Sequence, residues 1–417
     1  MVSTGIGPRH VVAAVIVVLA AGLASPGQAA DDEASLRKEL LALNDITGED
    51  AMRGEILILL EDRGRSKKLL TVAALMIKEK KPPFNYNAAY ILARVAQRLK
   101  DYDTSGALYR ICADEATRLK SGTKIGQAFG GLIAVFYESG KYGESEKLCR
   151  EFLEMRGDET VRRLKPVVLR QMIQSLAKQG KTEDANKLLD NLLKAQPDNW
   201  LMLELRGWVQ REAGQYDEAA RTYEAVLDRI MKDSELEKDE KAGFVSEVRY
   251  LLSGVYVDAH QPNKAADQLK ALLKEEPDNP SYNNDLGYIW ADHDMNFEEA
   301  EKLIRKALAE DRKQKQKANP DLKPDQIKDN AAYLDSLGWV LFKQKRFEEA
   351  KKSLEQAVKE PEGQHVEILD HLAQVYMAIG DKTAAVAAWK KGLEVAGPSR
   401  REQQQKASVE KKLKDLK

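Results

Sequence analysis

Apolar residues in the C-terminal half of the chain recur every three or four positions, with Lys, Glu, Asp and Gln between them. That is the stripe of a helix buried along one side. Short polar breaks interrupt the stripes, and the broken pattern repeats. Tyr333 to Val358 reads YLDSLGWVLFKQKRFEEAKKSLEQAV, Ile368 to Val395 reads ILDHLAQVYMAIGDKTAAVAAWKKGLEV, and Asn284 to Leu308 reads NDLGYIWADHDMNFEEAEKLIRKAL. Each stretch carries Leu, then Gly or Ala, an aromatic or Leu, a polar turn, and a small residue within a second amphipathic helix. Taken as a marker, that small residue recurs at Ser105, Ser145, Ala185, Ala219, Ala265, Ala300, Ala350 and Ala385, and a weaker unit with Leu69 at the marker precedes them. Successive markers from Ser105 onward lie 34 to 50 residues apart. The two longest intervals contain Lys232 to Lys241 and Asp311 to Asn330, the latter with Pro320 and Pro324. These polar stretches read as insertions between repeats or as extensions of the preceding helix. Gly140, Gly180, Gly214 and Gly380 stand just before the second helix of their units. Two striped helices bury facing sides against each other, but one pair cannot cover its remaining apolar faces, so units must stack.

The succession of large and small positions resembles the tetratricopeptide repeat, a helix-turn-helix unit of about 34 residues. The resemblance covers roughly residues 50–396. It implies an all-α, right-handed superhelical solenoid of eight to nine repeats, whose inner groove is lined by the first helix of each repeat. Ser399 to Lys417 reads as a C-terminal capping helix, with Val409, Leu413 and Leu416 on one side. Residues 30–49 read as an N-terminal cap, and the insertions fall near 232–243 and 311–330. Leu286-Gly287-Tyr288, Leu337-Gly338-Trp339 and Asp370-His371-Leu372 with Val375-Tyr376 are similar to exported, envelope-associated bacterial members of the family.

The beginning of the chain departs from this pattern. Arg9 and His10 precede the unbroken apolar run Val11 to Ala24, and small residues follow to Ala30. This is the layout of a secretory signal peptide over residues 1–29, with cleavage after Ala29, or else after Ala24 or Ala30. The run is shorter than the roughly 20 residues a membrane-spanning helix needs, and no second long apolar stretch follows. The expectation is an exported chain, periplasmic or secreted, without a membrane span once processed. Lys and Arg number 66 against 67 Asp and Glu, so no strong field favours nucleic acid. Cys112 and Cys149 leave two readings open, a disulfide or two small buried hydrophobes.

Candidate chemistry is sparse. Asp292-His293-Asp294 has metal-binding residue types but sits in a turn, where charged residues are ordinary, and ligands need convergent geometry. His371 has no companion nucleophile, and no phosphate loop, zinc-ligand helix or serine elbow occurs. No cofactor, metal or catalytic residue is therefore assigned. In the helix around Trp339, Leu334, Leu337, Gly338 and Leu341 form the packing side, and Asp335, Trp339 and Phe342 share another at i, i+4 and i+7. Positions equivalent to Trp339 hold Trp208, Tyr288 and Gln374 in other units, and Arg94, Ala134, Gln174 and Gly254 elsewhere. An aromatic ladder of this kind suits an extended peptide or a docked helix; packed between neighbouring helices, the same rings would instead stiffen the solenoid. Trp208, Asp285, Tyr288, Asp335, Trp339, Phe342, Asp370, His371 and Gln374 make up the candidate groove, which expects polar or basic segments of protein partners from an envelope or export complex. The remaining alternatives are a self-assembling structural solenoid and an enzyme whose carboxylates converge in the groove to act on glycans.

Overall fold

The computed structural model describes residues 26–79, 83–397 and 399–416. The expected signal peptide falls almost wholly outside the described residues; its last positions, Ala29 included, open helix α1 (Pro26–Ala42). Helices then succeed one another as helix-turn-helix pairs. They are α2 (Glu49–Glu61) with α3 (Arg63–Ile77) and α4 (Tyr86–Arg98) with α5 (Tyr102–Arg118), after which α6 (Gly122–Glu138) and α7 (Tyr142–Glu154) follow in the chain. Next come α8 (Glu159–Lys178) with α9 (Thr182–Ala195), α10 (Trp200–Glu212) with α11 (Tyr216–Lys232), and α12 (Lys238–Asp258) with α13 (Pro262–Glu275). The series ends in α14 (Pro280–Asp292) with α15 (Phe297–Ala318), α16 (Ala331–Lys343) with α17 (Phe347–Ala357), α18 (Val366–Ala378) with α19 (Lys382–Val395), and the lone α20 (Arg400–Asp415). No strand occurs among the described residues. The protein is an all-α helical-repeat solenoid.

The chain divides into two compact units. The first comprises Met1–Ser139 and Glu154–Lys165, the second Gly140–Leu153 and Pro166–Lys417. The division falls within α8 at Pro166, which lacks the amide hydrogen an α-helix would use there.

Within each unit the packing follows from the markers. Ser105, Ser145, Ala185, Ala219, Ala265, Ala300, Ala350 and Ala385 are all fully buried, and Leu69 nearly so. Where the marker is serine, its hydroxyl must be paired inside the core. Ser105 Oγ donates to the Ala93 carbonyl at 2.8 Å, and Ser175 Oγ donates to Ser145 Oγ at 3.0 Å. Close approach is also built into first helices. A Cβ on Gly287 would lie 2.8 Å from the Ala300 carbonyl oxygen of α15, and one on Gly338 2.5 Å from Leu354 Cγ of α17.

Turns and caps are local. The turn into the second helix passes through a left-handed residue at Gly140, Gly180, Gly214 and Gly380, but also at Lys100, His260, Asp294 and Lys345. Asn85, Asn199, Asn279 and Asn330 cap the helices that follow them by accepting from free backbone amides. The two polar insertions are resolved differently. The second lengthens the preceding helix, α15, which stops at Ala318 just before Pro320, and Arg312 clamps Asp329 across the return. The first lengthens the following helix: Glu237 and Glu240 form a capping box that starts α12 early. At the end of the chain Val409 is buried and Leu413 packs beside it, whereas Leu416 is exposed.

Candidate functional site

The candidate groove residues lie in the second unit, on the first helices α10, α14, α16 and α18. Their surroundings correct the picture of an open aromatic ladder. Trp339 is only 7% exposed. Its ring stacks on His371 at 4.1 Å and on Phe342 at 5.1 Å, and its Nε1 donates to Asp292 Oδ1 at 3.1 Å. Asp335 and His371, expected to face the groove, are both buried and joined at 2.8 Å between Oδ1 and Nδ1. Burial opposes the charged imidazolium of His371, but the charge and hydrogen bond of Asp335, with the charges of Glu367 and Asp370, raise its pKa above the ordinary histidine value. Phe342 and Gln374 are half-buried.

The other positions are engaged as well. Tyr288 is half-buried, and its hydroxyl donates to Glu367 Oε1 at 2.8 Å. Glu367 also accepts Arg401 of α20 at 2.9 and 3.1 Å. Burial would raise its carboxyl, but the positive charge of Arg401, the imidazole of His371 and donated hydrogen bonds hold it below the usual range. Asp285 accepts the Tyr250 hydroxyl at 2.7 Å, and burial pushes its carboxyl up. Asp370 takes Trp389 Nε1 at 2.6 Å and Lys412 Nζ at 2.5 and 2.8 Å. The structure thus brings Tyr288, Asp335, Trp339, Phe342 and His371 into one hydrogen-bonded and stacked seam between successive first helices, closed at its end by α20, whereas Asp370 is held by α19 and α20. A seam of this kind holds helices together, and it withdraws Trp339 and His371 from any ligand.

Trp208 stands apart from that seam. It is half-buried, with Lys178 Nζ 5.5 Å from its ring centre. One helical turn further on, α10 enters an open cleft of about 580 Å³ between the ends of α8, α10 and α12 and the first half of α20. Lys178, Arg211, Tyr216, Asp258, Arg401 and Gln405 line it. Two ion pairs hold its walls, Lys178 to Glu212 and Arg211 to Asp258, each at 2.7 Å. Periodicity does not reveal this cleft, because the composition of α20 marks it only as a polar cap. The available signal was the recurrence of charged residues at the C-terminal ends of first helices, Lys178, Arg211 with Glu212, and Asp258.

The residues of the Asp292-His293-Asp294 turn have separate tasks. Asp292 serves Trp339, His293 Nδ1 lies 3.0 Å from the Ile289 carbonyl, and Asp294 pairs with Lys343 at 2.9 Å. The bridge left open for the cysteines is not formed. Cys112 and Cys149 are free, buried thiols, Cys112 donating to the Tyr86 carbonyl in the first unit. Burial pushes the Cys149 thiol up to about 12 and raises Cys112 as well, so neither is an activated nucleophile.

Comparison with known proteins agrees with the repeat register. The sequence model of the tetratricopeptide repeat family matches residues 170–234, 250–315 and 336–400. A TPR repeat-containing protein of Pseudomonas aeruginosa is 30% identical over 194 residues, 46% of this chain but only 28% of that relative's length. Among solved structures, a tetratricopeptide repeat protein of Parabacteroides merdae aligns with a TM-score of 0.45 at 14% identity, covering 66% of this chain and 95% of its own. A thermophilic TPR protein of Thermus thermophilus aligns with a TM-score of 0.34 at 22% identity, covering 49% and 94%.

Proposed function

From the premise that this chain belongs to the tetratricopeptide repeat superfamily, we propose that it is a non-enzymatic protein-interaction scaffold of the bacterial cell envelope. On this reading the chain acts after export, in the periplasm or outside the cell, and takes a peptide or helix of an envelope or export complex into a groove lined by first helices. The observation that carries the proposal is the cleft beside Trp208. There, half-exposed side chains stand on walls already fixed by ion pairs, and a fixed wall reduces the ordering cost of binding. The apolar run at residues 11–24 supports export, and among the described residues no helix is long and apolar enough to cross a membrane.

The test is affinity capture with cross-linking from bacterial envelope extract. The chain would be compared with a Trp208→Ala, Arg211→Ala variant whose helicity by circular dichroism equals that of the parent. A partner captured by the parent and lost from the variant supports the reading. Equal capture by both moves recognition away from this cleft, and capture of nothing by either removes the scaffold proposal.

A further inference from the structure

In the second unit, cations on first helices are matched by carboxylates on the next first helix: Arg170 with Glu204, Lys178 with Glu212, Arg211 with Asp258. The first unit is built differently. Its helix α4 presents Tyr90, Arg94 and Arg98 at successive fourth positions, hence along one side. Arg94 lines two adjoining clefts. One, of about 190 Å³, lies against α2 and α6 and includes Arg53, Tyr90, Glu49 and Gln127. The other, of about 330 Å³, includes Arg98, Lys100, Tyr102 and Glu138. The two acids are already engaged by neutral amides: Gln127 donates to Glu49 at 3.2 Å and Gln97 to Glu138 at 2.9 Å. Among the described residues, Arg53, Arg94, Arg98 and Lys100 have no carboxylate partner within ion-pair distance. Four cations therefore surround a surface that supplies two carboxylates, and the scaffold uses none of the four in a salt bridge.

We propose that this face of the first unit binds an acidic, extended segment of a partner protein. The inference rests on the scaffold reading but concerns a second site, separate in sequence and in chemistry from the cleft beside Trp208. Arginine is suited to the task, because its planar fork meets carboxylates with two parallel hydrogen bonds. The spacing narrows the segment further. Side chains four residues apart on a helix are separated by about 6 Å along its axis. Alternate side chains of an extended chain are separated by about 6.6 to 6.8 Å. Acidic residues at every second position would therefore fall opposite Arg94 and Arg98 in turn, with the ring of Tyr90 as a flat support beside them.

The experiment is fluorescence anisotropy on the purified full chain, with a short labelled peptide alternating glutamate and threonine as the probe. Binding should weaken as salt rises, and Arg94→Gln with Arg98→Gln should lower affinity about tenfold, the product of two partly exposed ion pairs. Arg53→Gln with Arg98→Gln, both at exposed positions, should lower it without touching the contact of Arg94 with Tyr109. Arg211→Gln in the second unit should leave it unchanged. Binding by the Arg94/Arg98 and Arg53/Arg98 variants as tight as that of the parent, equal binding of a lysine–threonine peptide, or tighter binding of a single-stranded oligonucleotide would each overturn the proposal. Absence of peptide binding with envelope capture intact removes this site alone and leaves the scaffold reading standing.

Discussion

Gly287 offers the sharpest test of how the repeats pack. It lies in α14, fully inside the helix, where Ala would ordinarily be better than Gly by about 1 kcal/mol. A Cβ at this position would lie 2.7 Å from Ile304 Cγ1 and 2.8 Å from the Ala300 carbonyl oxygen, both on α15. Carbon and carbonyl oxygen normally approach no closer than about 3.3 Å, so the two helices must separate by roughly 0.5 Å. The Ala300 oxygen belongs to backbone and cannot rotate aside. Overpacking of this kind costs typically 1–3 kcal/mol, and the upper end applies where backbone must move. Gly287→Ala should therefore destabilise by about 2 kcal/mol after the helix-propensity gain is subtracted. Gly243 in α12 is the control from the same unit, since a Cβ there meets nothing within 4 Å. Gly243→Ala should stabilise by up to about 1 kcal/mol.

Chemical denaturation followed by circular dichroism would compare the two variants with the parent, in midpoint and in slope. Repeat arrays also open locally, so hydrogen exchange of the α14 and α15 amides is the more direct reading. Loss of protection should be greatest in those two helices. Gly338→Ala should cost less, because the atoms nearest its added carbon belong to the Leu354 side chain and not to backbone. A Gly287→Ala protein as stable as the parent, with α14 and α15 equally protected, would refute the claim that close backbone approach at this position holds the hairpin.

Three further outcomes are expected. Lys345 is left-handed at φ 63°, so Lys345→Gly should gain up to about 1 kcal/mol, whereas Gly380→Ala at φ 87° should lose about as much; thermal melts of both variants check the sign. The pKa of His371 is raised in the folded state by Asp335 against the opposing effect of burial. Its contribution to stability is therefore complete below the unfolded value near 6.5 and is lost as pH rises through the folded value, so His371→Gln should flatten the melting temperature above about pH 6.5 relative to the parent. Trp339→Ala should lower stability by about 3–5 kcal/mol, as buried rings do, and any loss of binding should follow the loss of fold; Trp208→Ala should leave the melt nearly unchanged.

The repeat was legible because close helix approach requires a small residue at one position, and that requirement leaves a mark on the sequence. Every marker from Ser105 to Ala385 proved fully buried. The turns were legible only in part, since Lys100, His260, Asp294 and Lys345 adopt the left-handed backbone without being glycine. The candidate site was less legible for a different reason. Periodicity along α16 separates two sides of one helix, but it cannot say whether the second side meets solvent or the next helix. The partners that decide this are distant in sequence: Asp335 meets His371, Trp339 meets Asp292, and Tyr288 meets Glu367, 79 residues away. Nor does a charged C-terminal segment show by composition that Arg401 and Lys412 reach back to carboxylates of α18.

Those distant pairs also solve a problem that repetition creates. Hairpins of similar sequence with purely apolar faces could exchange neighbours at little cost, because hydrophobic contact is not directional. Buried polar pairs are directional. If α18 were replaced against α16 by another first helix, Asp335 would lose its imidazole and Trp339 the ring it stacks on. Breaking one member of a buried pair costs about 3–5 kcal/mol, which exceeds any gain from interchangeable apolar contact. The first helices at the corresponding positions carry Trp208, Gly254, Tyr288 and Trp339, so the contacts at each interface differ in kind. The seam from α14 to α20 therefore orders the stack, and in doing so it withdraws Trp339, Asp335 and His371 from solvent. On the proposed reading, recognition falls to the cleft beside Trp208, whose Lys178–Glu212 and Arg211–Asp258 walls lie outside that seam, and in the first unit to the arginines that no carboxylate of the scaffold holds.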